Sequence, residues 1–172
     1  MIIPQTNKEL LAKSLQELSA KKNITKITIK EITQNCCLSS QTFYNYFSDK
    51  YELVAWIYNQ KVEKNFATKK NFEEILIGAM EILLEDEIFY KNALKNVVGQ
   101  NSFRYTTNDF AIKLMINQLK KVDEEKIFLI KFYMRGVSDL INEWFLSGDK
   151  KTPQEMAKLF LKAIPESLKG FL

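Results

Sequence analysis

The run Ser39-Ser40-Gln41-Thr42-Phe43-Tyr44-Asn45-Tyr46-Phe47-Ser48-Asp49-Lys50-Tyr51-Glu52-Leu53 decides how this chain is read. Ser39 is a good N-cap, and the residues after it predict a short helix from Ser40 to Phe47. Small polar groups come first and aromatic groups later. Phe43 and Phe47 stand four apart and share a face that can pack on preceding helices, while Ser39, Ser40, Gln41 and Thr42 are placed to hydrogen-bond phosphates or base edges. Tyr44, Asn45 and Tyr46 fall on other faces. So short a helix is not stable alone in water and must be held by packing. Ser48 is read as the next cap, with Asp49 in a first turn whose dipole it suits. A longer helix then carries Tyr51, Leu53, Val54, Trp56, Ile57, Val62 and Phe66.

Upstream, Leu10, Leu11, Ser14, Leu15 and Leu18 recur at helical spacing between Thr6 and Lys22, with Thr6 or Asn7 as cap. Thr28 with Glu31 three residues later forms a capping box, which predicts a second helix from Ile29 to about Asn35. Cys36-Cys37-Leu38-Ser39 breaks the pattern before the third helix. Three short helices with a four-residue turn between the second and third outline a helix-turn-helix head. In such a head, Thr28, Tyr44 and Lys50 are candidates for duplex phosphates, and Lys26 is read as an ordinary solvated lysine.

At these residues the sequence resembles a known family. Thr28-Ile29, Ile32, the turn through Ser39, Thr42-Phe43-Tyr44, Tyr46-Phe47, Lys50 and Glu52-Leu53 are similar to the DNA-binding head of TetR-family transcriptional regulators, over roughly Leu10 to Leu53. The resemblance implies an all-helical dimer whose heads occupy successive major grooves and whose C-terminal half senses a ligand or partner. The DNA-contacting set is then Thr28, Ser39, Ser40, Gln41, Thr42, Tyr44, Asn45, Tyr46 and Lys50. The family usually has Ala-Gly-Val where this chain has Cys36-Cys37-Leu38. If Cys37 takes the left-handed conformation of that Gly, it carries about 1 kcal/mol of strain or somewhat more. The C-terminal half resembles the dihydroxyacetone kinase regulator-like branch in Tyr90-Lys91, Leu94, Phe132-Tyr133, Gly136, Trp144, Gly148 and Thr152-Pro153-Gln154-Glu155-Met156-Ala157. Some members of that branch answer to a protein partner and activate transcription, so repression is not assumed.

Composition supports an all-α reading. The chain has 172 residues, 46% apolar and 27% charged, enough for a real core, yet only 5 Gly and 3 Pro, too few for a many-stranded barrel. No Gly pair has the spacing of a phosphate-binding loop. His is absent, which removes His-dependent triads and His metal sites and weighs against an enzyme. Paired carboxylates would be needed instead, and Glu85-Asp86-Glu87 and Asp123-Glu124-Glu125 read as solvated helix ends. No metal and no cofactor are expected. The net charge of +4 permits a nucleic-acid partner. The two adjacent cysteines make no disulfide framework, and no long apolar run or leader-like N-terminus occurs, so a cytoplasmic protein without a membrane partner is expected. As a redox pair, Cys36 and Cys37 would distort the turn; as small apolar fillers they would do nothing further.

The remaining segments predict helices over Phe72 to Leu84, Glu87 to Val98, Asn108 to Lys121, Asp123 to Leu146 and Pro153 to Ile164, with a polar turn at Gly99-Gln100-Asn101-Ser102. Residues 1–50 are read as the DNA-binding domain and 51–172 as an effector-sensing and dimerisation domain. Candidate pocket residues are Trp56, Met80, Phe89, Phe103, Phe110, Met115, Phe132 and Arg135, with Arg135 and Asp139 available to orient a polar ligand or to pair with each other. The stretch Ile127 to Met134 is apolar on nearly every face, which suits a helix between pocket and interface. Val137, Leu140, Ile141, Trp144, Phe145, Met156, Leu159, Phe160 and Ala163 are the candidates for an intermolecular four-helix bundle, the alternative being a core formed wholly within one chain. The expected partners are a double-stranded DNA operator, a second copy of the chain, and a small-molecule effector or protein co-regulator. The alternative is a protein-interaction module whose degenerate helix-turn-helix does not bind DNA.

Overall fold

A computed structural model describes residues 6–96, 103–118 and 123–170, and among these the chain is helical with no strand. Helix α1 (Asn7–Ser19) starts where the Thr6 hydroxyl accepts the Glu9 amide and the Glu9 carboxylate accepts the Thr6 amide. A 3-10 turn, Ile24–Lys26, leads to α2 (Ile29–Asn35), which begins at the Thr28/Glu31 capping box expected from the sequence. The second helix of the head is tied to the first by polar contacts. The buried Ser14 hydroxyl donates to the Ile32 carbonyl at 2.6 Å, and the Asn35 amide donates to Ser14 and Glu17.

The turn after α2 has a physical account. Leu38 N donates to Thr33 O at 2.8 Å and Cys37 N to Gln34 O at 3.2 Å, the paired bonds of a Schellman C-cap. That closure needs a left-handed residue after the cap, and Cys37 supplies it with φ 56°. Helix α3 (Ser40–Tyr44) is shorter than the expected span to Phe47. The amides of Tyr46 and Phe47 both donate back to the Phe43 carbonyl, and the resulting tight turn drives Phe47 into the core.

Helix α4 (Lys50–Thr68) is capped by Asp49, whose carboxylate accepts the Tyr51 and Glu52 amides, and not by Ser48. Ser48 instead donates its own amide and hydroxyl to Glu52. The rest follows as α5 (Phe72–Glu85), α6 (Glu87–Asn96), α7 (Phe103–Gln118), α8 (Glu124–Ser147) and α9 (Pro153–Lys162), with a 3-10 turn at Glu166–Leu168. Helix α7 begins at Phe103, ahead of the expected Asn108. Phe103 is fully buried, with its ring 5.4 Å from Tyr58 and 5.8 Å from Tyr90, a tertiary anchor that local sequence does not announce. The expected turn at 99–102 and the expected helix ends at Val98 and Lys121 lie outside the described residues.

In the C-terminal half α4 packs against α7 and α5, α7 against α8, and α9 against α5. Helices α4 and α5 meet at Gly78, where a Cβ would run into the Asn65 side-chain amide, so a larger residue there would have to displace that side chain. The head is joined to this half twice, by α4 running out of it and by α6 resting on the Ile24–Lys26 turn. Among the described residues no helix is long and apolar enough to cross a membrane.

Candidate nucleic-acid interface and ligand cavity

The head turns Phe43 wholly inward and leaves Ser39, Ser40, Gln41, Tyr44, Asn45 and Tyr46 exposed, with Thr42 half-buried. Several of these groups are already arranged by their neighbours. The Ser39 oxygen accepts the Thr42 amide and lies 2.9 Å from the Thr42 hydroxyl, and the Gln41 amide donates to Asn45 at 3.2 Å. The Tyr46 ring lies under the Lys8 ammonium at 5.6 Å, which also caps Phe47. Sequence reasoning missed Lys8, since nothing local links the start of α1 to the end of the recognition segment.

Thr28 and Lys50 have structural duties beside their expected role. The Thr28 hydroxyl and amide both donate to Glu31, which also takes a bond from Lys22. These donors, Lys22 first, hold the Glu31 carboxyl down at about 2, so it stays ionised beside Thr28. Lys50 donates from its ammonium to the carbonyls of Thr25 (2.9 Å) and Ile27 (2.7 Å). It therefore braces the first residue of α4 against the strand of chain entering α2, and one of its three N–H groups remains to be given elsewhere. Burial pulls its pKa below the ordinary lysine value. Cys36 points its thiol at the Ile32 carbonyl, and burial pushes that thiol up, whereas Cys37 is exposed.

Between α4, α5, α7 and α8 lies a cavity of about 60 Å³. Of the candidate pocket residues, Phe103 and Met115 line it. The other pocket candidates do not. Met80 and Phe89 are buried in the core away from the lining, and Phe110 is half-buried off it. Trp56 packs on Phe47, its ring 6.1 Å away, so it belongs to the joint between head and body. Phe132 and Arg135 lie outside, on a surface groove between α7 and α8. Asp139 pairs with Arg104, at 2.8 Å across that groove, and not with Arg135. The reason is helical phase, because aromatic content shows that a segment has apolar faces but not which face turns to which neighbour. The sequence reading missed the cavity's polar groups, Tyr58, Thr107, Ser138 and Asn142. Tyr58 donates to the Ala79 carbonyl at 3.1 Å, and burial drives its phenol well above the ordinary value.

The proposed interface residues divide in the same way. Val137, Ile141, Trp144, Phe145, Met156 and Phe160 are buried within their own chain, which corrects their assignment to a surface. Trp144 donates its ring N–H to Lys151 O, and Phe145 carries the Lys91 ammonium on its face. Leu140, Leu159 and Ala163 are exposed. On α8 the outward row is Phe128, Phe132, Gly136 and Leu140, each four residues from the last. Phe128 is 65% and Phe132 71% exposed, their rings stacked on each other. An apolar row of this kind on a water-facing helix is an unpaired packing surface. Among the described residues no cluster of His, Cys, Asp or Glu is suited to a metal.

Residues 70–166 match the family described as transcriptional regulator C-terminal region. The chain is 25% identical, over 91% of its own length and 89% of the relative's, to the HTH-type dhaKLM operon transcriptional activator DhaS of Lactococcus lactis subsp. lactis strain IL1403. The solved structure of the dihydroxyacetone kinase operon activator DhaS superposes with a TM-score of 0.62 at 19% identity, covering 95% of this chain and 97% of that one. Thermus thermophilus FadR, a TetR family transcriptional repressor solved in complex with lauroyl-CoA, superposes with a TM-score of 0.56 at 16% identity, covering 96% and 95%.

Proposed function

Because the chain belongs to the TetR family of transcriptional regulators and is related to its DhaS branch, we propose a specific division of labour within it. Residues 1–50 bind operator DNA, and residues 51–172 dimerise and sense a small molecule in the α4–α5–α7–α8 cavity. Ser39, Ser40, Gln41, Thr42, Tyr44, Asn45 and Tyr46 face the duplex, with Thr28 and the free N–H of Lys50 at phosphates. The protein acts by binding and not by catalysis, in the cytoplasm.

The observation that carries this reading is the course of α4. One rigid helix braces the head through Lys50, packs on it through Trp56 against Phe47, and then forms the cavity wall with Tyr58, Val62 and Phe66. Lys50 and Phe66 lie about 24 Å apart along a helix that rises about 1.5 Å per residue. A ligand that enlarges the cavity shifts this lever, and two heads joined in a dimer must keep half-sites about 34 Å apart to read DNA. Effector control is then a difference in ligand affinity between head spacings that fit the operator and spacings that do not. The dimer is formed by the Phe128, Phe132 and Leu140 row of α8 together with Leu159 and Ala163 of α9.

The test begins with selection of bound duplexes from a random pool, followed by fluorescence anisotropy on the selected site. A roughly palindromic site, bound at least about a thousandfold more tightly than random duplex and with steep salt dependence, is expected. Affinity equal to that for random DNA would instead favour a head that serves only protein partners.

A further inference from the structure

We propose that the cavity takes an electrically neutral, largely apolar small molecule carrying one hydroxyl or carbonyl group, and that the Asn142 amide reads that group. The inference rests on the ligand-regulated reading above and names the class of effector. None of the lining side chains is ionisable in the ordinary pH range, and the chain has no His. A carboxylate, ammonium or phosphate would enter without a counter-charge and lose its hydration, which is the costliest transfer available. Apolar side chains make most of the wall.

The polar groups are few and uneven. Tyr58 spends its proton on Ala79 O and Thr107 spends its proton on Phe103 O. Ser138 and Asn142 stand four apart on α8 and so share one wall. Asn142 is 5% exposed, and its amide has no hydrogen-bond partner among the described residues. That amide is not spent on the protein and stands on the cavity wall, so it is available to a hydroxyl or carbonyl group inside. The cavity, about 60 Å³, is smaller than the roughly 150 Å³ known to admit benzene. A ring-sized ligand therefore displaces side chains, for which the adaptable Met115 and Met134 are suited.

The experiment uses the full chain with ¹³C-methyl methionine and titrates benzyl alcohol, toluene, benzoate and benzylammonium at pH 7. Benzyl alcohol is expected to shift the Met115 and Met134 methyl signals and to bind at least tenfold more tightly than either ion. In Asn142→Leu the ratio of benzyl alcohol to toluene affinity should fall about tenfold. Ser138→Ala, a milder change on the same wall, should lower that ratio less and keeps the test open if the Leu variant does not fold. Benzoate binding within threefold of benzyl alcohol, no methyl shift with any probe, or an unchanged ratio in both variants would overturn the assignment. Methyl shifts without a change in operator affinity uphold it and remove the ligand control of DNA binding instead.

Discussion

Replacing Cys37 with Gly tests whether the helix-turn-helix turn stores strain. The Schellman closure fixes residue 37 at φ 56°, where an L side chain brings its Cβ against the following carbonyl. That conformation costs about 1–2 kcal/mol for a residue with a Cβ. Gly removes the clash but loses more backbone freedom on folding, an opposing cost of about 0.5–1 kcal/mol. The balance favours Gly by about 0.5–1 kcal/mol, since the Cys37 side chain is exposed and has little packing to lose. Cys37→Ala is the control, because it removes the thiol and keeps the Cβ. Urea unfolding followed by circular dichroism should place Cys37→Gly above both the parent and Cys37→Ala, with an unchanged denaturant slope. For a chain of this size the gain corresponds to about 2 °C in Tm. A Gly variant no more stable than the Ala variant would refute the argument, by showing that the turn is relaxed with Cys in place or that chain entropy outweighs the clash.

Lys50→Met should lower stability by about 1–2 kcal/mol, because the Thr25 and Ile27 carbonyls lose their charged donor. If its remaining N–H reaches a phosphate, the slope of log affinity against log salt also falls by about 0.9; an unchanged slope would leave Lys50 a brace alone. Glu31 is held at about 2 in the folded head against an ordinary 4.5. Its stabilising effect is thus complete above pH 4.5 and is lost as pH falls from 4.5 toward 2, so parent and Glu31→Gln should converge in acid denaturation over that window and differ above it. Convergence already at neutral pH would contradict it. Phe132→Glu should convert the dimer to monomer in sedimentation velocity while the monomer keeps its helical circular-dichroism signal, since Phe132 touches mainly solvent in a single chain; an intact dimer would exclude the α8 row from the interface.

The legible parts of this molecule were those that act within one or two turns of chain. The Thr28/Glu31 box was readable because a cap and its partner lie three residues apart. The left-handed demand at Cys37 was readable through the family resemblance. Other features depend on residues distant in sequence. Phe103 starts α7 by packing on Tyr58 and Tyr90, and Lys8 covers Tyr46 across the head. The candidate cavity was half visible, as apolar content, while its polar wall of Ser138 and Asn142 was not.

The sequence by itself determined that the chain is all-helical, where most of its helices lie, and that a recognition segment with a polar start and a buried Phe43 follows a cysteine turn. Helical period and capping chemistry suffice for that, because both are local. Only the tertiary structure decided which apolar residues turn inward. Val137 and Ile141 line the cavity wall while Phe128, Phe132 and Leu140 on the same helix face water, since the packing of α8 against α7 sets which face of α8 turns inward. It also decided that Lys50 and Trp56 fasten the head to the helix that walls the cavity, a coupling built from contacts between segments far apart in the chain.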